Sequence, residues 1–358
     1  MGAVTTADQV VREDLSNLFI NLDERETPFL TRLKRGEDLA NVKLFSWALE
    51  KYDGRMIVGI PENKDADEFE TDKQDQLYGR SQKFWRRPHV TVEANTINRA
   101  PADFGKYNKQ VIKKIEEQKR DIQQRLLSDI DSRDDDGVTG REFMGLGRFV
   151  NDAVSVGVSG AALTFGDSQT AVPVDYRTPT AQIYVAALYV TSSGVVSDLT
   201  FNEDSLNAML QNRFDNLGMN SSLSAFVDAA LKRHLGRVFR YAKNLTNYTP
   251  LSRSPLPPVS AGDWLIGGVD MIETDFGPSD INLITWLPRT SAGALSGRGY
   301  FLDMKFMALR ASGLYLTHQM QEDKGAGPRG LIQSILGPMW GDPRGHLKID
   351  PNAISTGT

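Results

Sequence analysis

The chain has 358 residues, of which 40% are hydrophobic and 24% are charged, and its formal net charge is −5. This composition is too apolar for a disordered protein, and the length favours two sub-domains or one extended fold. The slight acidity argues against a dedicated nucleic-acid binder, because phosphate binding needs a basic surface. The chain has no cysteine, which excludes disulfides, thiolate catalysis and cysteine-ligated metal sites. No segment approaches the roughly 20 apolar residues of a membrane-spanning helix.

The N-terminal region carries apolar residues at helical spacing. Their recurrence over Asp8–Leu22 predicts a short amphipathic helix. A turn should follow, in which Pro28 stops the helix. We interpret residues 1–40 as an N-terminal arm.

The next region, residues 41–100, has the pattern of a long two-stranded ribbon. Asn41–Tyr52 and Lys83–Thr96 are predicted strands, and between them Glu62–Gln76 holds seven acidic and two basic side chains. A segment so rich in charge cannot bury a core, so we predict an exposed acidic tip. An isolated ribbon is only marginally stable in water, which favours a ribbon that lies on a neighbouring molecule.

The longest predicted helix covers Asp103–Asp131, which has no proline and no glycine after Gly105. Its apolar residues form a narrow stripe interrupted at Gln118, and its length is about 40 Å. We therefore expect a spine that is covered on one side only. A glycine-rich hinge should follow and complete the region 101–145; its glycines are Gly137, Gly140, Gly145 and Gly147.

Residues 146–300 are predicted to form a central region of loops, short strands and two helices. Asn202 should begin the first helix and Gly218 should end it, and the second helix is expected over Leu223–Phe239. Residues 301–358 should contain closing strands followed by a polar tail.

Motifs for catalysis and for metal binding are weak. The acidic run Ser132–Phe143 resembles a calcium loop in part, but Ser132 and Phe143 occupy positions that need strong carboxylate ligands. The four histidines have no ligand spacing, and no phosphate-binding or nucleophile motif is present. We therefore predict no enzyme, no catalytic residue, no cofactor and no metal. A hydrolase that uses carboxylates such as Asp275 and Asp280 is the minor alternative.

Charged residues define candidate contacts between subunits. The acidic tip needs a basic or polar receiving surface, either on the long helix or at the base of an adjacent ribbon. Exposed pairs contribute only about 0–1 kcal/mol each, but symmetry repeats each pair at every equivalent contact. The predicted contact residues are Glu68, Glu70, Asp72, Trp85, Arg86, Arg87, Lys113 and Lys114.

The order of these parts resembles that of tailed-bacteriophage major capsid proteins of the Hong Kong 97 type. Three short phrases support the resemblance: ETPFL at residues 26–30, Asp-Phe-Gly at 275–277 and YFLD at 300–303. The resemblance covers essentially the whole chain in element order. After Glu322 the sequence departs from the pattern of this branch.

The resemblance implies an α+β fold with an N-terminal arm, an extended β-ribbon (E-loop), a long spine helix, and peripheral and axial sub-domains. It implies a major capsid protein that self-assembles as hexamers and pentamers into an icosahedral shell around double-stranded DNA, contacted without sequence specificity. The other implied partners are a separate scaffolding protein, a portal protein and a decoration protein, with no membrane. The virion shell would be assembled in the bacterial host cytoplasm. The alternative function is a β-rich phage tail or adhesion module that binds carbohydrate or protein.

Overall fold

The computed structural model describes residues 27–36, 38–39, 43–50, 74–96, 106–152, 171–186, 189–190, 196–197, 201–218, 222–240, 271–284, 297–312, 315–321 and 327–351. The helices are α1 (Pro28–Arg32), α2 (Val92–Thr96), α3 (Lys106–Leu126), α4 (Leu146–Phe149), α5 (Glu203–Leu217) and α6 (Ala229–Arg240). The strands are β1 (Lys34–Arg35), β2 (Leu44–Glu50), β3 (Gln74–Arg80), β4 (Gln82–Arg86), β5 (Ile183–Ala186), β6 (Tyr189–Val190), β7 (Val196–Ser197), β8 (Leu223–Val227), β9 (Met271–Thr274), β10 (Gly277–Leu283), β11 (Gly299–Leu302), β12 (Ala308–Ala311), β13 (Thr317–Gln321), β14 (Arg329–Met339) and β15 (Leu347–Pro351). The predicted N-terminal helix lies outside the described residues.

A five-stranded sheet has the long strand β14 at its centre. Strands β12 and β13 pair with one edge of β14, β4 pairs with the other edge, and β1 pairs with β12. Helix α3 crosses one face of this sheet, where the side-chain amide of Gln118 donates a hydrogen bond to Ser334 Oγ at 2.9 Å. Gln118, the interruption in the predicted apolar stripe, is therefore a fully buried residue with a partner on the sheet.

A six-stranded sheet has the order β5–β15–β11–β8–β10–β9, and the buried side chains of α5 and α6 pack with it. The prediction of one helix over Leu223–Phe239 was wrong, because its first part is the central strand β8. Residues on both faces of β8 are buried, so its sequence lacks the alternation of polar and apolar residues that marks a strand with one exposed face. Asp228 then begins α6 by accepting a hydrogen bond from the backbone N–H of Leu231 at 2.8 Å.

The ribbon is present as a separate antiparallel pair, in which β2 and β3 align from Leu44 opposite Arg80 to Glu50 opposite Gln74. Its tip, residues 51–73, lies outside the described residues. The return segment differs from the predicted single strand. The chain turns at Ser81 into β4, which belongs to the five-stranded sheet, and then forms α2, where Thr91 Oγ1 accepts a hydrogen bond from the N–H of Ala94.

Phe29 in α1 connects the two sheets. Its ring lies 5.1 Å from the ring of Phe226 in β8 and 6.3 Å from that of Trp340, which follows β14. Pro28 occupies the first turn of α1, where a missing backbone N–H costs nothing. The preceding helix that it was expected to end lies outside the described residues.

The expectation that helix α3 extends to Asp131 was wrong, because α3 ends at Leu126. The hydroxyl of Ser128 donates to the carbonyl of Arg125 at 2.7 Å, and the backbone N–H of Ser128 bonds the same carbonyl. The hinge predicted beyond it is closely packed at Gly147, because a Cβ atom there would overlap the carboxylate of Asp129.

We expect Gly147→Ala to lower the free energy of unfolding by about 1–3 kcal/mol, because the added methyl group overpacks a closely filled site. The measurement is urea unfolding followed by tryptophan fluorescence. Gly140→Ala is the matched control, since a Cβ atom at Gly140 meets nothing within 4 Å. Equal stability of the two variants would contradict the packing argument.

The predicted polar tail contains a strand instead. Strand β15 lies between β5 and β11, and Leu347 and Ile349 are fully buried. Lys348 is also buried, and its charge is balanced by Asp350 at 3.0 Å. The two charged side chains made a central strand resemble a solvent-exposed tail.

Candidate subunit interface

The base of the ribbon is fastened to the body of the subunit. The indole N–H of Trp47 in β2 donates to the carbonyl of Gly341 at 3.1 Å, and Leu77 in β3 is buried in the main core. Burial, together with a hydrogen bond to Asp75, raises the pKa of the Tyr176 hydroxyl. These contacts fix the direction in which the ribbon leaves the body.

The acidic contact residues predicted for the ribbon tip, Glu68, Glu70 and Asp72, lie outside the described residues. Asp75, at the start of β3, is the described acidic residue nearest to them, and it is exposed.

The residues of β4 alternate between the two faces of the five-stranded sheet. Phe84 and Arg86 point towards α3, whereas Lys83 and Trp85 point to the opposite face. The Trp85 side chain is 53% exposed, and the guanidinium carbon of Arg87 lies 3.9 Å from the centre of its ring. Trp85 and Arg87 therefore form a solvent-facing cation–π pair.

Arg86 and Lys114, which were predicted as contact residues, have partners within the chain. Arg86 Nε donates to Asp121 at 2.7 Å, and Lys114 Nζ lies 2.5 Å from Glu117. Lys113 is exposed on α3. The predicted basic residues are thus divided between opposite sides of the sheet, with the Trp85–Arg87 pair on one side and the α3 lysines on the other.

The side of the sheet opposite α3 has a distinctive composition. Strands β4, β13 and β14 contain no aspartate or glutamate. The register places Gln333 opposite Trp85 and Ile335 opposite Lys83, so these side chains share one face. We call this surface the open face; it consists of Lys83, Trp85, Arg87, Gln319, Leu331, Gln333 and Ile335.

The base of the ribbon also touches the side of the sheet that carries the open face. Gly337, two residues beyond Ile335 on β14, is closely approached by the ring of Phe45 in β2. Lys83 was missed by sequence reasoning, although the alternation in Lys-Phe-Trp-Arg places it beside Trp85. The absence of acidic residues from the neighbouring strands was the other available indication.

A buried ion cluster joins the loop after α3 to the six-stranded sheet. Arg298 binds Asp129 and lies 2.7 Å from Asp350, and Lys348 Nζ donates to the carbonyl of Gly147 at 2.8 Å. Burial by itself would raise the pKa of Asp350, but Lys348 and Arg298 lower it more, so the pKa lies below its ordinary value. Each of these charges is compensated by another, which suits a structural role.

Of the two carboxylates of the minor hydrolase alternative, Asp275 is exposed in the turn between β9 and β10, and Asp280 is half-buried in β10. Asp280 accepts hydrogen bonds from Arg32, Ser224 and Asn282. Burial opposes ionisation of Asp280, but these bonds hold its pKa below the ordinary value, which disfavours a role as general acid. Among the described residues, no group of three or more histidine and acidic side chains could hold a metal ion. None of the described helices is both long and apolar enough to span a membrane.

A body of two mixed sheets with a projecting ribbon is the fold of Hong Kong 97-type capsid subunits. A capsid of a native GTA particle is similar to this chain with a TM-score of 0.56 and 12% identity, covering 97% of this chain and 95% of that chain. The capsid of cyanophage P-SCSP1u gives a TM-score of 0.54 at 8% identity, with coverages of 89% and 86%. The capsid of cyanophage A-1(L) gives 0.53 at 12% identity, with coverages of 99% and 100%.

The sequence model of the SU10 major capsid protein matches residues 2–352, and the chain belongs to this family. Its copies build the capsid shell of a bacteriophage virion. No curated protein matches the chain in sequence. The expectations of a Hong Kong 97-type capsid fold, of a shell-forming function and of location in the virion shell are confirmed, and the tail or adhesion module is set aside. The role of α3 as the spine helix of the family stays a prediction.

Proposed function

We propose that neighbouring subunits of the shell are joined by the acidic tip of one ribbon, residues 62–75, lying on the open face of the next subunit. The observation that carries this proposal is the composition of the open face. It presents Lys83 and the exposed Trp85 on β4, with Arg87 directly after this strand, and β4, β13 and β14 contain no acidic residue. The segment Glu62–Gln76 carries seven acidic and two basic side chains; Asp75 hydrogen-bonds Tyr176 of its own subunit, and the other six acidic residues give the two surfaces complementary charge.

Burial of Trp85 would contribute more to this contact than any single ion pair. Exposed ion pairs contribute about 0–1 kcal/mol each, whereas aromatic side chains that become buried are frequent hot spots of interfaces. The alternative receiving surface on α3 is less favourable, because Lys114 is already bound to Glu117. A ribbon that recruited Lys114 would have to compete with that pair.

The decisive experiment is charge reversal with rescue. We expect the triple variant Glu68→Lys, Glu70→Lys and Asp72→Lys to fold normally but to assemble poorly, because like charges would then meet at the contact. Adding Lys83→Glu and Arg87→Glu should restore much of the assembly. Circular dichroism measures folding, and sedimentation velocity with electron microscopy measures shells and capsomers.

Two further variants make this test specific. Reversal of Asp135, Asp215 and Glu273, which are exposed elsewhere, changes the net charge equally and should leave assembly intact. Adding Lys113→Glu and Lys114→Glu to the triple variant should not rescue it. If only the changes on α3 restored assembly, the receiving surface would be α3 and not the open face. Normal assembly of the triple variant would contradict an electrostatic contact altogether.

We also propose that the subunits form hexamers and pentamers and that assembly uses a separate scaffolding protein and a portal protein. The packaged double-stranded DNA would be contacted without sequence specificity, and a decoration protein could bind the outer surface. These proposals are supported by the family and by the near-neutral charge of the chain outside the acidic tip. We further propose that the chain has no enzymatic activity. Its proposed structural regions are residues 1–40, 41–100, 101–145, 146–300 and 301–358.

A further inference from the structure

The segment Trp340–His346, which we call the junction segment, connects β14 of one sheet to β15 of the other. The carbonyl of Gly341 accepts the indole N–H of Trp47 at the ribbon base, as described above. The carbonyl of Gly345 accepts a hydrogen bond from Arg213 Nε in α5 at 2.9 Å. The ribbon and both sheets therefore meet at this one short segment.

Arg344 extends these contacts from the middle of the junction segment. Its guanidinium carbon lies 4.8 Å from the centre of the Tyr176 ring, and Tyr176 is the residue that hydrogen-bonds Asp75 of the ribbon. The junction segment thus reaches the ribbon base from two sides, through Gly341 to β2 and through Arg344 and Tyr176 to β3.

His346 ends the junction segment and is almost completely buried. Its Nδ1 accepts a hydrogen bond from the backbone N–H of Asp303 at 3.2 Å, and its Nε2 lies 3.0 Å from the carbonyl of Trp340. Because Nδ1 faces a donor and Nε2 faces an acceptor, the imidazole is neutral and carries its proton on Nε2. A second proton would have to be added at Nδ1, where it would face the N–H of Asp303.

Three charged side chains act on this imidazole: Asp303, Asp342 and Arg213. Asp303, after β11, is paired with Arg213 of α5 at 3.1 Å, and both side chains are 2% exposed. Asp342 is held by Arg344 within the junction segment. Burial has the largest effect on the pKa of His346 and lowers it; Asp303 and Asp342 raise it, Arg213 lowers it, and the net pKa lies below the ordinary value.

We propose that the junction segment is an acid-sensitive lock, in which protonation of His346 breaks its contact with Asp303 and loosens the ribbon base together with the connection between the sheets. The lock does not depend on where the ribbon tip binds. The direction of the pH dependence follows from the protonation of His346 in the closed and in the opened segment. The closed state holds His346 neutral, whereas an opened segment binds a proton with an ordinary pKa near 6.5. Opening is therefore favoured as the pH falls below about 6.5, and the effect stops at the lower pKa of the closed state.

Hydrogen exchange of the full-length chain between pH 7.5 and pH 5 tests this lock. After correction for the intrinsic exchange rate, we expect peptides covering 44–50, 74–80 and 340–346 to lose protection by up to about tenfold per pH unit below about 6.5. His346→Gln keeps a donor and an acceptor but has no proton to bind in this range, so its protection should not change with pH. His318→Gln, which alters an exposed histidine on β13, should behave as the wild type does.

An equal loss of protection in the wild type and in His346→Gln would overturn the lock, and so would protection that does not change with pH in the wild type. If His346→Gln does not fold, exchange at the C2 position of the histidine rings, followed by mass spectrometry, decides the question in the wild type. The lock requires a pKa of His346 below 6.5 and a change in tryptophan fluorescence that follows the same protonation. A fluorescence change that follows another histidine, or an ordinary pKa of His346, would contradict it.

Discussion

Replacing Phe29 with alanine will lower the free energy of unfolding by about 3–5 kcal/mol, which is the usual cost of removing a fully buried phenylalanine. The loss of stability should lie near the upper end of this range, because the cavity opens between Phe226 in the six-stranded sheet and Trp340 beside the five-stranded sheet. These two sides belong to different sheets and cannot close the cavity without moving one sheet against the other. Urea unfolding monitored by circular dichroism and by tryptophan fluorescence measures the change.

Phe306→Ala is the matched control for this prediction. Phe306 is 46% exposed, so its removal should change stability by no more than about 1 kcal/mol. The two variants lose the same atoms and differ in burial. If Phe29→Ala were as stable as Phe306→Ala, Phe29 would not be the connection between the sheets that its contacts indicate.

The second large effect is expected for Arg298→Met, which should destabilise the subunit by about 3–5 kcal/mol. The change leaves the carboxylates of Asp129 and Asp350 with Lys348 as the remaining basic member of the buried cluster. Two half-buried carboxylates that share one cation are poorly compensated. Thermal and urea unfolding at neutral pH provide the measurement.

Arg32→Met supplies the comparison for the ion cluster. Arg32 pairs with Asp280, but these side chains are 43% and 41% exposed, so the loss should be about 0–1 kcal/mol. The cluster also predicts a pH dependence, because the pKa of Asp350 is lowered in the folded chain. Its contribution to stability is complete above the unfolded pKa of about 3.9 and is lost as the pH falls further. Arg298→Met should weaken this loss at acid pH, and an unchanged acid dependence would contradict the assignment.

The elements that could be predicted from sequence are those specified by their own residues. Helix α5 begins at Asn202, whose side chain accepts the N–H of Ser205, and it ends at Gly218 with a φ of 64°. Both caps are local, and glycine adopts this left-handed conformation at little cost. The first ribbon strand, β2, was also predicted, and its burial alternates because one of its faces is exposed.

The elements that sequence reasoning missed depend on distant partners. Strand β8 is buried on both faces by neighbouring strands and runs directly into α6, so its apolar run resembled the start of a helix. At the candidate interface, the binding of Arg86 to Asp121 depends on how α3 crosses β4, which no local pattern contains. Once β4 is known to be a strand of the sheet, its alternation is sufficient to place Arg86 and Trp85 on opposite faces.

The position of β15 between β5 and β11 has a consequence for how the subunit is made. Residues 347–351 are synthesised after both β5 and β11, so a nascent chain lacks the strand that pairs with these two edges until that segment emerges. Such edges are prone to pair with other chains until β15 covers them. A chain that stops before residue 347 lacks β15, so β5 and β11 have no strand between them and the six-stranded sheet stays incomplete.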